Sequence, residues 1–84
     1  MKHIFEEMVS KWGAPLVSRS EVARFSGGVV SPKYLANCDS QGLGPAGRIR
    51  VGKHVAYPTT ALATWLEART REIPPKSTTE VGAK

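Results

Sequence analysis

Apolar residues near the N-terminus recur at the spacing of one helical face. They are Ile4, Phe5, Met8, Val9 and Trp12, and Gly13 follows them before Pro15. Residues three and four apart lie on the same side of an α-helix, so the pattern predicts an amphipathic helix over residues 1–13. Such a helix could form an extra layer of the core or a contact between two copies of the chain.

A second helix is predicted over residues 19–26. Ser18 can cap it, and Glu21, three residues later, can reach back to form a capping box. Val22 and Phe25 are spaced to point inward. Gly27-Gly28 then ends the helix, because glycine readily adopts the left-handed conformation found just after a helix.

A third helix is predicted over residues 32–40. Ser31 is a typical cap and Pro32 suits the first helical turn. Leu35 and Cys38 are expected to be buried, and Gly42 should end the helix. Two short helices joined by a glycine turn are typical of a helix-turn-helix.

A β-hairpin is predicted over residues 48–57, and two loop lengths are open. A two-residue turn at Gly52-Lys53 would pair Arg50 with Val55 and Arg48 with Tyr57. This register mixes charged and apolar side chains on one face, which is unfavourable if that face is buried.

A three-residue loop over residues 52–54 separates the two kinds of side chain. It places Arg48 and Arg50 on the outer face with Ala56, and it requires His54 to adopt a positive φ. The apolar face would then hold Ile49, Val51, Val55 and Tyr57. We therefore expect the three-residue loop, which gives a wing with an apolar underside and a basic outer side.

The last predicted helix covers residues 61–71. Pro58 should end the second strand, and Thr60 should cap the helix. Leu62, Trp65 and Leu66 form its buried stripe. The polar residues 73–84, which include two adjacent prolines, are predicted to be a disordered tail.

The 84 residues predict one small domain, a winged helix-turn-helix over residues 14–72, after the N-terminal helix. The single cysteine, Cys38, excludes an internal disulfide and fits a cytoplasmic protein. No apolar run could span a membrane. The net charge is +5, and Arg48, Arg50 and Lys53 contribute three positive charges to a stretch without acids. Such local charge favours attraction to phosphates.

The order and spacing of several segments resemble a known family. The segments are residues 31–37, 42–45 and 48–53, Tyr57, and Leu62 with Trp65-Leu66. The chain thereby resembles small phage and prophage DNA-binding proteins, the excisionase and AlpA-like regulators of the MerR-like winged-helix superfamily. The resemblance covers about residues 16–69.

The resemblance implies an α+β fold in which the helix over residues 32–40 enters the major groove and the hairpin contacts the backbone or minor groove. Asn37 and Gln41 have side-chain amides that can pair with adenine. The candidate DNA-binding residues are Ser31, Lys33, Tyr34, Asn37, Ser40, Gln41, Arg48, Arg50, Lys53 and His54.

The expected function is sequence-specific binding of duplex DNA by a prophage transcription regulator or excisionase-type recombination factor. One alternative is a DNA-packaging module like a terminase small subunit. Another is a protein-interaction module that has lost DNA binding, favoured by the acid Asp39 and the shortage of Arg and Lys on its helix. Expected partners are duplex DNA, further copies as a homodimer or cooperative array, and a recombinase or terminase.

Catalysis is not expected. The sequence offers no Ser/His/Asp or Cys/His set, and neither His3 nor His54 has a partner at metal-ligand spacing. Residues 42–47 spell G-x-G-x-x-G, but they follow a helix and lead into a strand, the reverse of a dinucleotide-binding context. No metal and no cofactor are predicted.

Overall fold

A computed structural model describes residues 2–71 and 73. Four helices accompany a three-stranded sheet, which confirms the predicted α+β class. The helices are α1 (Lys2–Trp12), α2 (Val22–Phe25), α3 (Pro32–Ser40) and α4 (Thr59–Ala68); the strands are β1 (Leu16–Ser18), β2 (Ile49–Val51) and β3 (His54–Pro58). Within the described residues, no helix is long and apolar enough to cross a membrane. Apart from Ile73, the predicted disordered tail lies outside these residues.

The sheet is antiparallel, with β3 at its centre between β1 and β2. Val17 of β1 lies opposite Tyr57 of β3, and both side chains are completely buried. The sequence did not predict β1, because three residues are too few to show an alternating pattern. This strand supplies the central strand with its second neighbour.

The hairpin between β2 and β3 has a two-residue turn, so the predicted three-residue loop is wrong. Arg50 pairs with Val55, and Val51 pairs with His54. Gly52 has a φ of 64° and no other described hairpin residue has a positive φ, as expected for a turn with glycine at its first central position. His54 therefore avoids the strained conformation that the longer loop required.

The two faces of the hairpin consequently differ from the prediction. Arg50 shares the inner face with Val55, whereas Ile49 lies opposite Ala56 on the other face. Ile49 is 41% exposed and Val51 is 58% exposed, so they do not form a buried underside. Charged and apolar side chains share the inner face, as the rejected register implied.

Two predicted helix caps are also corrected. Ser18 makes no capping hydrogen bond, and Glu21 binds Arg24 instead of closing a capping box. Residues 19–21 form a 3₁₀ turn that leads into the short α2. Thr60 lies inside α4, which begins two residues earlier than expected, and Thr59 donates from its hydroxyl to the carbonyl of Ala14 at 2.6 Å.

The start of α3 matches the prediction. The Ser31 hydroxyl accepts a hydrogen bond from the backbone amide of Tyr34 at 3.1 Å, and Pro32 occupies the first turn. Gly42 has a φ of 77° just after the helix ends. The boundaries of α3 are those expected from these residues.

The core lies between the sheet and the helices. Its buried members are Val17, Val22, Phe25, Val30, Leu35, Tyr57, Leu62, Ala63 and Leu66. The half-buried side chains of α1 pack against this core, and α1 lies along α4. Trp65, expected in the buried stripe, is only half-buried. The helix α1 therefore forms a further layer of the core.

Candidate nucleic-acid interface

One face of α3 is open to solvent. Lys33, Asn37 and Ser40 are exposed, and their spacing of four and then three residues places them on the same side of the helix. Leu35 and Cys38 are buried on the opposite side. The helix thus presents a cation, an amide and a hydroxyl in one line.

A cleft of about 430 Å³ separates α3 from the hairpin. Ala36 and Ser40 line it from the helix, and Arg48 and Arg50 line it from the hairpin. Its remaining walls come from Arg19, Asp39, Ile49 and Val55. The cleft brings three of the predicted DNA-binding residues together, namely Ser40, Arg48 and Arg50.

A buried carboxylate lies at the base of this cleft. The side chain of Asp39 is only 4% exposed. Its Oδ2 accepts hydrogen bonds from the Tyr57 hydroxyl and from Nη2 of Arg19, each at 2.6 Å. Its Oδ1 lies 3.4 Å from Nη1 of Arg48. One acid thereby links α3 to the 3₁₀ turn and to both sides of the hairpin.

The groups around Asp39 also affect one another. Nε of Arg19 donates to the Tyr57 hydroxyl at 3.0 Å, and this hydrogen bond is the main reason that the pKa of Arg19 is raised. Burial, followed by the hydrogen bond to Asp39, raises the pKa of Tyr57 above its ordinary value of 10.0. Both side chains therefore remain protonated at neutral pH.

The charge that remains at the surface of this region is positive. Asp39 is the only acid in residues 31–58, against four Lys and Arg side chains. Among the described residues, no ion pair involves Lys33, Arg50 or Lys53. Because Asp39 is buried and paired, these cations face solvent without a neighbouring exposed acid.

Two other predicted DNA-contact residues, Ser31 and Tyr34, form hydrogen bonds within the protein itself. Ser31 uses its hydroxyl as the helix cap. Tyr34 lies on the flank that faces α4, where its hydroxyl accepts a hydrogen bond from Nη2 of Arg69 at 3.0 Å and its ring lies 6.5 Å from that of Trp65. Tyr34 is thus directed away from the cleft, although it is 45% exposed.

The remaining predicted residues lie at the ends of the site or outside it. Gln41 is exposed directly after α3, and Lys53 is exposed in the hairpin turn. His54 belongs to β3 and pairs with Val51, so it lies on the sheet face opposite to Arg50. There it lines a separate groove with Trp12 and Leu16. The structure does not bring His54 to the cleft.

No family model, curated protein or solved structure matches this chain. The chemistry of the cleft and of the α3 face is therefore what bears on function.

The sequence prediction missed Arg19 and the position of Asp39. A signal for Asp39 was present, because it lies four residues after Leu35 and next to Cys38, on the buried side of α3. Arg19 gave no comparable signal. Its contact with Asp39 joins residues 20 positions apart and depends on how the 3₁₀ turn packs against α3.

The described residues include no cluster of three or more His, Cys, Asp or Glu that could hold a metal. The glycine-rich segment after α3 packs closely on the protein itself. A Cβ atom added to Gly44 would lie 1.8 Å from Oδ1 of Asp39, so this glycine allows the loop to approach the carboxylate.

Proposed function

We propose that this chain binds duplex DNA as a winged helix-turn-helix protein. In this proposal α2, the glycine turn and α3 form the helix-turn-helix, and the β2–β3 hairpin is the wing. The resemblance to excisionase and AlpA-like proteins supports the same assignment. The proposed biological role is that of a prophage transcription regulator or of a recombination factor that acts with a recombinase.

The observation that carries the proposal is the common cleft. Ser40, at one end of the exposed face of α3, borders the same cleft as the arginines of the hairpin. The acid in this cleft, Asp39, is buried and forms ion pairs with Arg19 and Arg48. The major groove of B-DNA, about 12 Å wide, admits an α-helix. With α3 in the groove, an adjacent basic hairpin would lie against the flanking sugar–phosphate backbone.

Each exposed group then has a chemical role. Asn37 can donate to and accept from the major-groove edge of adenine, and Gln41 carries the same amide one turn later. Lys33, Arg50 and Lys53 would neutralise phosphates, which fixes position without specifying sequence. Sequence preference would therefore come mainly from α3, and affinity mainly from the cations.

The burial of Asp39 weakens one alternative. A protein-binding role for α3 was favoured partly by an acid on this helix, but that carboxylate is 4% exposed and bound to Arg19. The helix α3 still carries few Arg and Lys side chains. This is compatible with DNA binding in which the hairpin supplies most of the positive charge.

Salt dependence tests the proposal. If about four to six phosphates are neutralised, the slope of log affinity on log salt should be near −4 to −5. Binding would be followed by fluorescence anisotropy with a labelled duplex between low and physiological salt. Lys53→Gln should reduce the magnitude of the slope by about one.

A matched variant controls for net charge. Lys11 lies on α1 and is exposed, so Lys11→Gln should leave the slope unchanged while it removes the same charge. Absence of binding to any duplex at low salt, or a slope near zero, would refute the proposal in favour of a protein partner.

A further inference from the structure

The polar connection between α3 and the hairpin depends on one residue. Within the described residues, every side-chain hydrogen bond or ion pair between this helix and residues 48–57 ends on Asp39. Tyr57 of β3 donates a hydrogen bond to Asp39, and Arg48, the residue before β2, forms an ion pair with it. The side-chain polar contacts between helix and hairpin therefore converge on this carboxylate.

The two oxygens of Asp39 have different surroundings. Oδ2 accepts two short hydrogen bonds from buried or part-buried donors, whereas Oδ1 faces Arg48 at 3.4 Å. The Arg48 side chain is 47% exposed, so it is open to solvent while its Nη1 pairs with Asp39. A guanidinium has five N–H donors, so Arg48 can pair with Asp39 and still donate to a phosphate.

We infer that Asp39 is a positioning residue for DNA recognition: it holds Arg48 and the hairpin so that the hairpin and α3 engage the same stretch of duplex. The inference rests on the proposed function. It assigns a supporting role to an acid that would ordinarily count against DNA binding.

The inference makes a prediction opposite to that of simple electrostatics. Removal of an acid beside a DNA-binding surface should strengthen binding to every duplex, because repulsion of the phosphates is reduced. A positioning role instead predicts weaker binding to the preferred sequence, while binding to other sequences is unchanged or slightly stronger. The ratio of the two affinities separates the two explanations.

Asp39→Asn is the first variant. The amide oxygen can still accept from Arg19 and Tyr57, whereas the amide nitrogen would face Arg48, so the hydrogen bonds at Oδ2 can persist while the ion pairs with both arginines are lost. Glu6→Gln on the exposed side of α1 is the matched control, because it changes the net charge equally, from +5 to +6.

Gly44→Ala is the second variant, and it changes no charge. Its new methyl group would lie 1.8 Å from Oδ1 and must displace the carboxylate. Gly44 has no positive φ, so the substitution brings no backbone strain of that kind. It should reproduce the loss of preference without stronger binding to other sequences, and it tests the inference even if Asp39→Asn does not fold.

The probes are a 24-base-pair duplex selected by the wild-type protein from a randomised pool and a scrambled duplex of equal composition. We expect each variant to lose about tenfold in preference for the selected duplex, within the range for coupled residues in contact. Glu6→Gln should keep the wild-type preference. Circular dichroism would establish that each variant is folded.

Three results would overturn the inference, and they are distinguishable. A folded variant that keeps the wild-type preference shows that Asp39 does not set it. A wild-type protein that binds all duplexes equally has no preference to set, although DNA binding itself stands. A wild-type protein that binds no duplex refutes both the inference and the proposed function.

Discussion

Asp39 shows how a charge can be accommodated inside a small domain. Desolvation of a carboxylate is costly unless hydrogen bonds and opposite charges replace the lost water. Here the Tyr57 hydroxyl and the Arg19 guanidinium both donate to Oδ2, and Arg48 lies beside Oδ1. The described residues contain no buried side-chain N or O atom without a partner. The cluster therefore adds rigidity without leaving an unpaired buried charge.

Tyr57 should make the protein sensitive to alkaline pH. In the unfolded chain this phenol ionises near its ordinary pKa of 10.0, whereas burial raises its pKa in the folded protein. Between these two values the unfolded state binds fewer protons than the folded state, so the free energy of unfolding falls as pH rises. Below pH 10 this contribution to stability is fully present.

Urea unfolding at pH 7 and above pH 10 would measure this effect. Tyr57→Phe should cost about 1–3 kcal/mol at pH 7, because Asp39 loses a donor. It should also show a smaller loss of stability at alkaline pH than the wild type. Tyr34→Phe is the control and should retain the full alkaline loss; an equal alkaline loss in Tyr57→Phe would contradict the assignment.

Substitutions of Arg50 and of Asn37 should weaken DNA binding in different ways. Arg50→Ala removes a charge that attracts phosphates, so binding to the selected and scrambled duplexes should weaken by similar factors. Asn37→Ala should cost about 1–3 kcal/mol on the selected duplex and little on the scrambled one. Anisotropy titrations with both duplexes would measure this. An unchanged sequence preference in Asn37→Ala would show that Asn37 does not contact a base.

Among the elements, α3 was predicted from local chemistry alone. Its cap, its proline and its final glycine are all within a few residues of the helix, so the sequence contained the information needed for its boundaries. The face that carries Lys33, Asn37 and Ser40 follows from the same periodicity. These residues, like Arg48 and Arg50 of the hairpin, belong to the part of the candidate site that the sequence could predict.

The hairpin register depended on contacts that the sequence does not display. The prediction assumed that an arginine opposite Val55 or Tyr57 would be unfavourable on an inner face. The structure instead supplies Asp39 as a partner for Arg48, and Gly52 forms the shorter turn without strain elsewhere. Because the partner comes from another element, local alternation alone selected the wrong register.

The two serines predicted to cap helices, Ser18 and Ser31, allow a direct test of the helix starts. Ser31→Ala should destabilise the protein by about 1 kcal/mol, since its hydroxyl accepts from the Tyr34 amide. Ser18→Ala should cost much less, because Ser18 makes no capping bond and, within the described residues, its hydroxyl binds that of Ser20. Urea denaturation midpoints of the two variants would be compared. Equal losses of stability would contradict the assignment of Ser31, and not Ser18, as a helix cap.

Across the described residues, the acids other than Asp39 lie on different elements from the cations of α3 and the hairpin. Among the described basic side chains without ion pairs, Lys33, Arg50 and Lys53 lie on α3 and the hairpin, whereas Arg69 and Arg71 follow α4. The described acids other than Asp39 lie on α1, α4 and the 3₁₀ turn. The apolar stripe of α1 is largely used against the core, with Ile4 left 55% exposed. The cations of α3 and the hairpin would therefore favour approach of this surface to DNA.

The small size of the domain limits the area that one copy can bury on DNA. One small module buries only about 600–1,000 Å² on DNA, which is little for the affinity that a regulator needs. We therefore expect the protein to act as a dimer or cooperative array on repeated sites, with weak self-association in free solution. Two sites about one helical turn apart would place neighbouring α3 helices on the same face of the duplex.

Titrations against one site and against two sites would test this expectation. A second site one turn, about 10 base pairs, away should give cooperative binding, whereas a spacing changed by about half a turn should abolish it, because the second copy then lies on the opposite face. Sedimentation of each complex would give the number of bound copies. If both spacings bind independently, neighbouring copies do not contact each other, and the remaining affinity must come from a partner such as a recombinase.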